Sequence, residues 1–155
     1  MENTHFDVCI IGSGIAGTVL AAILAKEDIS VAIIDSSCHP KFTIGESTVP
    51  ETTMLFQVIS ERYGIPEVGN LSSFYNLQSN ISSACGIKRS FSFIHHSKSS
   101  FQKVGESTQL PTWAPPIGPD IHLFRQDTDA YFLAIAAKYG ATVYQNIKLD
   151  SIEFL

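Results

Sequence analysis

The sequence predicts an α/β fold, a parallel sheet with flanking helices, and three observations predict it. Val8-Cys9-Ile10-Ile11 and Val31-Ala32-Ile33-Ile34 are short continuous apolar runs, as expected of parallel strands covered on both faces. Between them, apolar residues recur at helical spacing from Ile15 to Lys26. The composition is that of a folded domain: 155 residues, 45% hydrophobic and 16% charged, with 10 Gly and 7 Pro. Such a chain is not disordered and holds enough apolar residues for a buried core.

The first strand runs directly into Gly12-Ser13-Gly14-Ile15-Ala16-Gly17. In the helix that follows, Ile15, Val19 and Ile23 form one apolar line and Ala16, Leu20 and Leu24 the next, until Lys26-Glu27-Asp28 ends it. The second strand closes on Asp35. Residues 36–50 form an extended loop punctuated by Pro40, Gly45 and Pro50. A helix is expected from Glu51 to Tyr63 with Leu55, Val58 and Ile59 facing inward, stopping before Gly64-Ile65-Pro66. Residues 70–86 are rich in Ser and Asn and carry one short helix near Leu71–Leu77.

Phe91 to His95 alternates like a strand. Residues 97–119, with Trp113, Pro115, Pro116 and Pro119, are expected to form a long loop beside a binding site or partner surface. Asp127 or Thr128 caps a helix reaching about Tyr139, with Tyr131, Ala134 and Ile135 inward and Gly140 closing it. Thr142 to Gln145 is a strand, and Lys148 to Leu155 alternates as one more.

Charge and cysteine usage exclude several function classes. The net charge is −5 with no run of Lys and Arg, which argues against nucleic acid and anionic membranes as partners. No window holds the roughly 18 apolar residues of a membrane span, and the first residues lack the basic start of a signal peptide. Cys9, Cys38 and Cys85 form no CxxC pair, so a reducing, cytoplasmic setting is expected rather than a disulfide or zinc framework. His95 and His96 point to opposite faces of a strand and no third ligand stands at suitable spacing, so no metal site is expected. Ser47 lacks both a histidine partner and the Gly-x-Ser-x-Gly frame of a hydrolase. Gly105-Glu106-Ser107-Thr108 repeats the letters of Gly45–Thr48 with different flanks, a coincidence.

Strand, glycine turn, helix, second strand and terminal acid together make a Rossmann-like dinucleotide site. Gly12 makes the tight turn, Gly14 lets the backbone approach a pyrophosphate, and Gly17 lets the helix pack on the sheet. The helix N-terminus offers free amides and a positive dipole end to the phosphates. Asp35 stands where a carboxylate accepts hydrogen bonds from ribose hydroxyls, which favours FAD or NAD over NADP. The alternative is a sharp strand-to-helix connection with no ligand.

Lys41-Phe42-Thr43-Ile44-Gly45-Glu46-Ser47-Thr48-Val49-Pro50 then replaces the helix and strand that an NAD dehydrogenase would continue with. This segment resembles the flavin-dependent halogenases, the tryptophan-halogenase-like group, and more loosely the wider FAD monooxygenase superfamily. The resemblance continues through Gly64-Ile65-Pro66-Glu67, Gly86-Ile87-Lys88-Arg89-Ser90-Phe91-Ser92-Phe93 and His122-Leu123-Phe124-Arg125-Gln126-Asp127. It implies FAD as cofactor, held by Gly12, Gly14, Ala16, Gly17, Asp35, Gly45, Glu46, Ser47, Thr48 and Arg125. It implies a flavin reductase that supplies reduced FAD, which with dioxygen and chloride or bromide yields hypohalous acid. A lysine then passes the electrophilic halogen to an aromatic or phenolic substrate, free or bound to a carrier protein.

Lys88 is the match to that lysine, five residues ahead of Phe93, with Lys98 and Lys103 as weaker candidates. The alternative for Lys88 is a solvated loop lysine, and for Arg125 a surface or capping arginine. The halogenases are longer, and their Trp-x-Trp-x-Ile-Pro segment, later Gly-Asp segment and paired acid are absent from this sequence. Residues 1–155 thus resemble the FAD-binding, N-terminal part of a longer flavoprotein, incomplete at its C-terminus. A monooxygenase or reductase of the same superfamily and an inactive dinucleotide-binding module stay open as alternatives.

Overall fold

The structure, a computed structural model, describes residues 5–96, 98, 101, 103–114 and 118–153. It is an α/β Rossmann-like fold. The strand β1 (Val8–Ile11), helix α1 (Ile15–Lys26) and strand β2 (Val31–Ile34) follow the expected order. A three-stranded parallel sheet forms in the order β1, β2, β8, where β8 is Thr142–Tyr144. Val8 pairs with Val31, and Ala32 pairs with Thr142.

Helix α1 packs against α5 (Arg125–Lys138) through small residues, with Ala21, Ala22 and Ala136 wholly buried. Ile33 of β2 and Phe132 of α5 fill the core between helices and sheet. The strand β2 lies in the middle of its sheet, and Val31, Ala32 and Ile33 are buried on both faces, as the unbroken apolar run predicts. The strand β1 is different. It forms the sheet edge, so Cys9 and Ile11 are exposed while Val8 and Ile10 pack inward. Cys9 is therefore not enclosed as the sequence pattern suggests.

The helix α2 (Pro50–Tyr63) starts one residue early, with Pro50 in its first turn and Gly64 closing it in the left-handed conformation at φ 61°. It presents Thr53 and Ser60 inward, and Leu55 and Val58 are exposed. Its contacts run to α3 (Pro66–Gly69) and the 3₁₀ turn Asn70–Ser72. Small residues allow that close approach: Ser72 Oγ donates to Gln57 Oε1 at 3.0 Å, and Ser60 Oγ lies beside Gly69. Ile59 packs against the core as expected, as does Phe56, while Met54, Leu55 and Val58 are left outward. Helix α4 (Phe74–Asn80) replaces the short helix expected slightly earlier, and buries Phe74 and Leu77.

Among the described residues of the segment expected as one long loop, 107–111, 113–114 and 118–119 are strand. Strand β3 (Gly86–Lys88) pairs antiparallel with β7 (Gly118–His122), which pairs with the short β6 (Trp113–Ala114). Strand β4 (Ser90–Ile94) pairs with β5 (Ser107–Pro111). Prolines at the strand ends hid this pattern. The side chain of Trp113, and Pro115 and Pro116 altogether, lie outside the described residues.

Helix α5 begins at Arg125, earlier than expected, and neither Asp127 nor Thr128 is its cap. Thr128 instead donates its hydroxyl to the Phe124 carbonyl at 3.0 Å. The buried face carries Thr128, Asp129, Phe132, Leu133 and Ala136 with Ile135, and Ala134 is exposed. Two polar residues on that face masked it from a purely apolar reading. Residues 148–153 carry no strand.

Candidate functional site

The glycine turn opens the site. Gly12 has φ 100°, a conformation that side chains disfavour, and its N–H donates to the Ile34 carbonyl at 2.8 Å. Gly14 is the N-cap of α1, with no side-chain cap and no acidic residue in the first turn. The leading amides of α1 therefore lack an intrahelical acceptor and face outward with the positive end of the helix dipole. A Cβ on Gly17 would stand 2.5 Å from the Gly12 carbonyl oxygen, so Gly17 is what lets helix and turn touch. A Cβ on Gly14 would meet only Arg125 Nη2, at 3.6 Å.

Outside the turn lies an open crevice of about 740 Å³, lined by Ile11, Gly12, Gly14, Ile15, Ala16 and Gly17, by Phe56 and Ile59 of α2, and by Arg125. Its size is in the range of cofactor sites. Uncapped amides, a bare backbone at Gly14 and a guanidinium beside it suit a diphosphate. These residues fit an FAD diphosphate.

Asp35 is placed differently from expectation. Its carboxylate is 5% exposed and turned inward. One oxygen accepts from the Ser37 amide at 2.9 Å and hydroxyl at 2.8 Å. The other accepts from the Ser13 amide at 2.8 Å, from its hydroxyl at 2.5 Å, and from the Lys41 ammonium. Burial pushes this carboxyl up, but the hydrogen bonds from Lys41, Ser13 and Ser37 outweigh it and hold Asp35 well below the usual carboxylate range. Asp35 thus fastens the glycine turn to the start of the 36–49 loop, and a ribose reaches it only by displacing Lys41. The ring of His39 joins this cluster, with Nε2 2.7 Å from Ser13 Oγ. Burial, with the Lys41 charge, lowers its pKa.

The loop from Gly45 to Thr48 is tied down at both ends. Gly45 has φ 89°, and the carbonyls of Ile44 and Gly45 accept from Arg125 Nη1 at 2.9 and 3.0 Å. The other edge of Arg125 makes a two-pronged pair with buried Asp129, at 2.8 and 2.9 Å. Arg125 is thereby fixed between the glycine turn and the loop, and is no mere surface or capping arginine. Further along, the loop pairs with β7. Leu123 N–H donates to the Glu46 carbonyl at 2.7 Å, the Thr48 amide donates to the Ile121 carbonyl at 3.0 Å, and Thr48 Oγ1 accepts from the Ile121 amide at 2.9 Å. Glu46 and Ser47 are exposed, while Thr48 is buried.

Lys88 ends β3 and is 9% exposed, so it is not a solvated loop lysine. Its Nζ donates to the Thr48 carbonyl at 2.7 Å and stands 4.3 Å from the centroid of the Phe91 ring. Lys98 and Lys103 are exposed. The structure thus brings Lys88, the Gly45–Thr48 loop, Arg125 and the glycine turn into one continuous assembly.

Two functional neighbours escaped the sequence reading. Asp129 could have been found, because it sits one helical turn after Arg125. Asp120, buried opposite Lys88 on β7, had no local signal, since its strand was read as loop.

The chain is similar in sequence and fold to several known proteins. Residues 7–70 match the tryptophan halogenase family. The chain is 48% identical over 144 residues to monodechloroaminopyrrolnitrin halogenase PrnC of Pseudomonas fluorescens, covering 93% of this chain and 25% of that protein. It is 40% identical over 151 residues to tetracycline 7-halogenase of Kitasatospora aureofaciens, covering 96% of this chain and 27% of the relative. Among solved structures, halogenase PltM in complex with phloroglucinol and FAD superposes with TM-score 0.83 at 42% identity, over 98% of this chain and 30% of that one. The chain spans about a quarter to a third of the length of these relatives.

Proposed function

We propose, from this homology to the N-terminal part of flavin-dependent halogenases, that residues 1–155 are the flavin-binding portion of such an enzyme. The carrying observation is the hydrogen bond from Lys88 Nζ to the Thr48 carbonyl. It joins a buried lysine to the loop whose other end is clamped by Arg125 at the glycine crevice.

In this reading FAD lies with its diphosphate at the first turn of α1, beside Gly12, Gly14, Ala16 and Gly17. Gly45, Glu46, Ser47 and Thr48 border the flavin end, and Arg125 fixes their backbone and adds positive charge near the phosphates. When bound and reduced by a separate flavin reductase, the cofactor would supply the electrons that activate dioxygen, and dioxygen would be the oxidant that turns halide into an electrophilic halogen. Lys88 does the rest from its own position. Its ammonium donates a hydrogen bond to the hypohalous acid and directs the halogen toward an electron-rich ring. Asp35 either yields to the ribose when Lys41 swings away or acts only as the loop fastener described above.

The substrate is an aromatic or phenolic compound. PltM holding phloroglucinol supports that class, and a pyrrole-2-carbonyl-[peptidyl-carrier protein] chlorinase, 27% identical, keeps a carrier-bound ring within it. No helix among the described residues is long and apolar enough to cross a membrane.

The test is a product assay on the full-length protein with a flavin reductase, NADH, chloride or bromide and a panel of phenols. Halogenated product is expected, and Lys88→Ala should abolish it by at least about 100-fold while flavin affinity stays within about threefold. Hydroxylated product, or undiminished halogenation by the variant, would overturn the reading.

A further inference from the structure

Asp120 is the most deeply buried acid that the halogenation reading leaves unused. It is 2% exposed, and its Oδ2 has no hydrogen-bond partner among the described residues. Its other oxygen has one long contact, from Thr53 Oγ1 at 3.4 Å. Buried carboxylates with so few partners are costly, and a stability role alone gives no reason for one here. Asp120 stands directly opposite Lys88 in the antiparallel pair β3–β7. Residues so opposed share a face, with Cβ atoms about 4.5–5.5 Å apart. Lys88 is buried on that same face, with its head on the Thr48 carbonyl and over the Phe91 ring.

Resting on the reading of Lys88 as the halogen-handling group, we propose that Asp120 is its positioning residue, the buried countercharge that holds the Lys88 ammonium in place, aimed at Thr48. Without that carboxylate, Lys88 would be a buried cation held by one carbonyl and one ring. With it, the ammonium has an anionic neighbour across the β3–β7 pair. The charged groups facing Asp120 are Lys88 from β3 and Glu51 from the first turn of α2. The neutral Thr53 hydroxyl faces it from the same helix. Burial pushes the Asp120 carboxyl up while Lys88 pulls it down, and Glu51 adds to the upward push. In the basic range where a lysine titrates, Asp120 is an anion.

The experiment titrates Lys88 directly in full-length protein carrying lysine labelled with carbon-13 at Cε, with Lys88→Arg used to assign its resonance. Asp120→Asn should lower the Lys88 midpoint by about one unit or more, and Asp120→Glu should keep it within about half a unit of wild type. Asp120→Ser, smaller and also neutral, should repeat the downward shift, and it replaces the amide variant if that one does not fold. Flavin affinity should change by less than about threefold in all of them. The basic limb of the halogenation pH profile should move down with the midpoint. An unchanged midpoint in the neutral variants overturns the pairing. A shifted midpoint together with full halogenation by Lys88→Ala keeps the pair but removes it from catalysis, which overturns the positioning role and separates its failure from that of the charge coupling.

Discussion

Gly14 and Gly17 belong to one sequence motif, and the structure assigns them opposite sensitivities. A methyl at Gly17 would sit 2.5 Å from the Gly12 carbonyl oxygen and 3.1 Å from Ile10 Cγ2. The first contact is with backbone, so α1 must move away from the turn. Overpacking of this kind costs up to about 3 kcal/mol. Replacing a helical glycine with alanine returns about 1 kcal/mol. The net loss is roughly 2 kcal/mol, and at this chain length that is about 4–8 °C in melting temperature. At Gly14 the φ of −74° suits alanine, and its Cβ would make only an ordinary contact with Arg125. Gly14→Ala should therefore change stability by less than about 0.5 kcal/mol.

Ligand binding should sort the two the other way. The Gly14 methyl would project toward the place where a diphosphate approaches the backbone, and FAD affinity should fall at least about tenfold, or 1.4 kcal/mol. Thermal unfolding followed by circular dichroism, and FAD titration followed by flavin fluorescence, measure both quantities on the same preparations. If Gly17→Ala melts like wild type, the packing reading of that glycine is wrong. If Gly14→Ala binds FAD as wild type does, the diphosphate does not lie at the helix start.

Arg125→Ala should cost about 3 kcal/mol, because it strands wholly buried Asp129 without its partner. The Arg125→Ala/Asp129→Ala double variant should recover part of that loss in urea unfolding. Arg125→Lys keeps the charge but cannot span Asp129 and the Ile44 and Gly45 carbonyls together, so flavin affinity should drop in it too. Asp35 is held well below its ordinary value of 3.8, so its contribution to stability is complete above about pH 4 and is lost as the pH falls from there toward the folded value. The stability gap between wild type and Asp35→Asn should accordingly stay constant from about pH 8 to 5 and close only below about pH 4. A gap that closes near neutrality would rule out the lowered pKa.

The parts legible in the sequence are those where local pattern and tertiary role coincide. The strand β2 lies inside its sheet, so an unbroken apolar run and burial on both faces say the same thing. The glycine turn is legible because backbone conformation and close approach leave glycine little competition. Where the two diverge, the pattern misleads. Helix α2 leaves Leu55 and Val58 exposed and buries Thr53 and Ser60 beside the partly buried Phe56 and Ile59, since contact with residues 66–72 requires small side chains. The core face of α5 includes Thr128 and Asp129, whose polarity is satisfied by a carbonyl and by Arg125, so no hydrophobic period outlines it. Asp35 illustrates a third case. Its position at the strand end was evident, but its occupants, Ser13 from the turn and Lys41 from the loop, are set by tertiary folding.

The loop from Ile44 to Thr48 carries the argument for a single site instead of two unrelated features. Each of its ends is held by a charge that belongs to a different part of the fold. Arg125 grips the carbonyls at Ile44 and Gly45 and is itself locked by Asp129. Lys88 grips the carbonyl at Thr48 and faces Asp120 across the strands. Between these grips, the backbone pairs with β7 at Glu46, Ser47 and Thr48. A displacement of the loop at one end therefore cannot be absorbed by slack at the other, because the segment between is hydrogen-bonded along its length. Whatever occupies the crevice beside Gly14 and Arg125 is mechanically linked to the position of the Lys88 ammonium. Under the proposed function such a link would matter, since the electrophile would arise at the cofactor and be consumed at the substrate. The link is one short backbone segment, held at one end by the Arg125–Asp129 pair and at the other by Lys88.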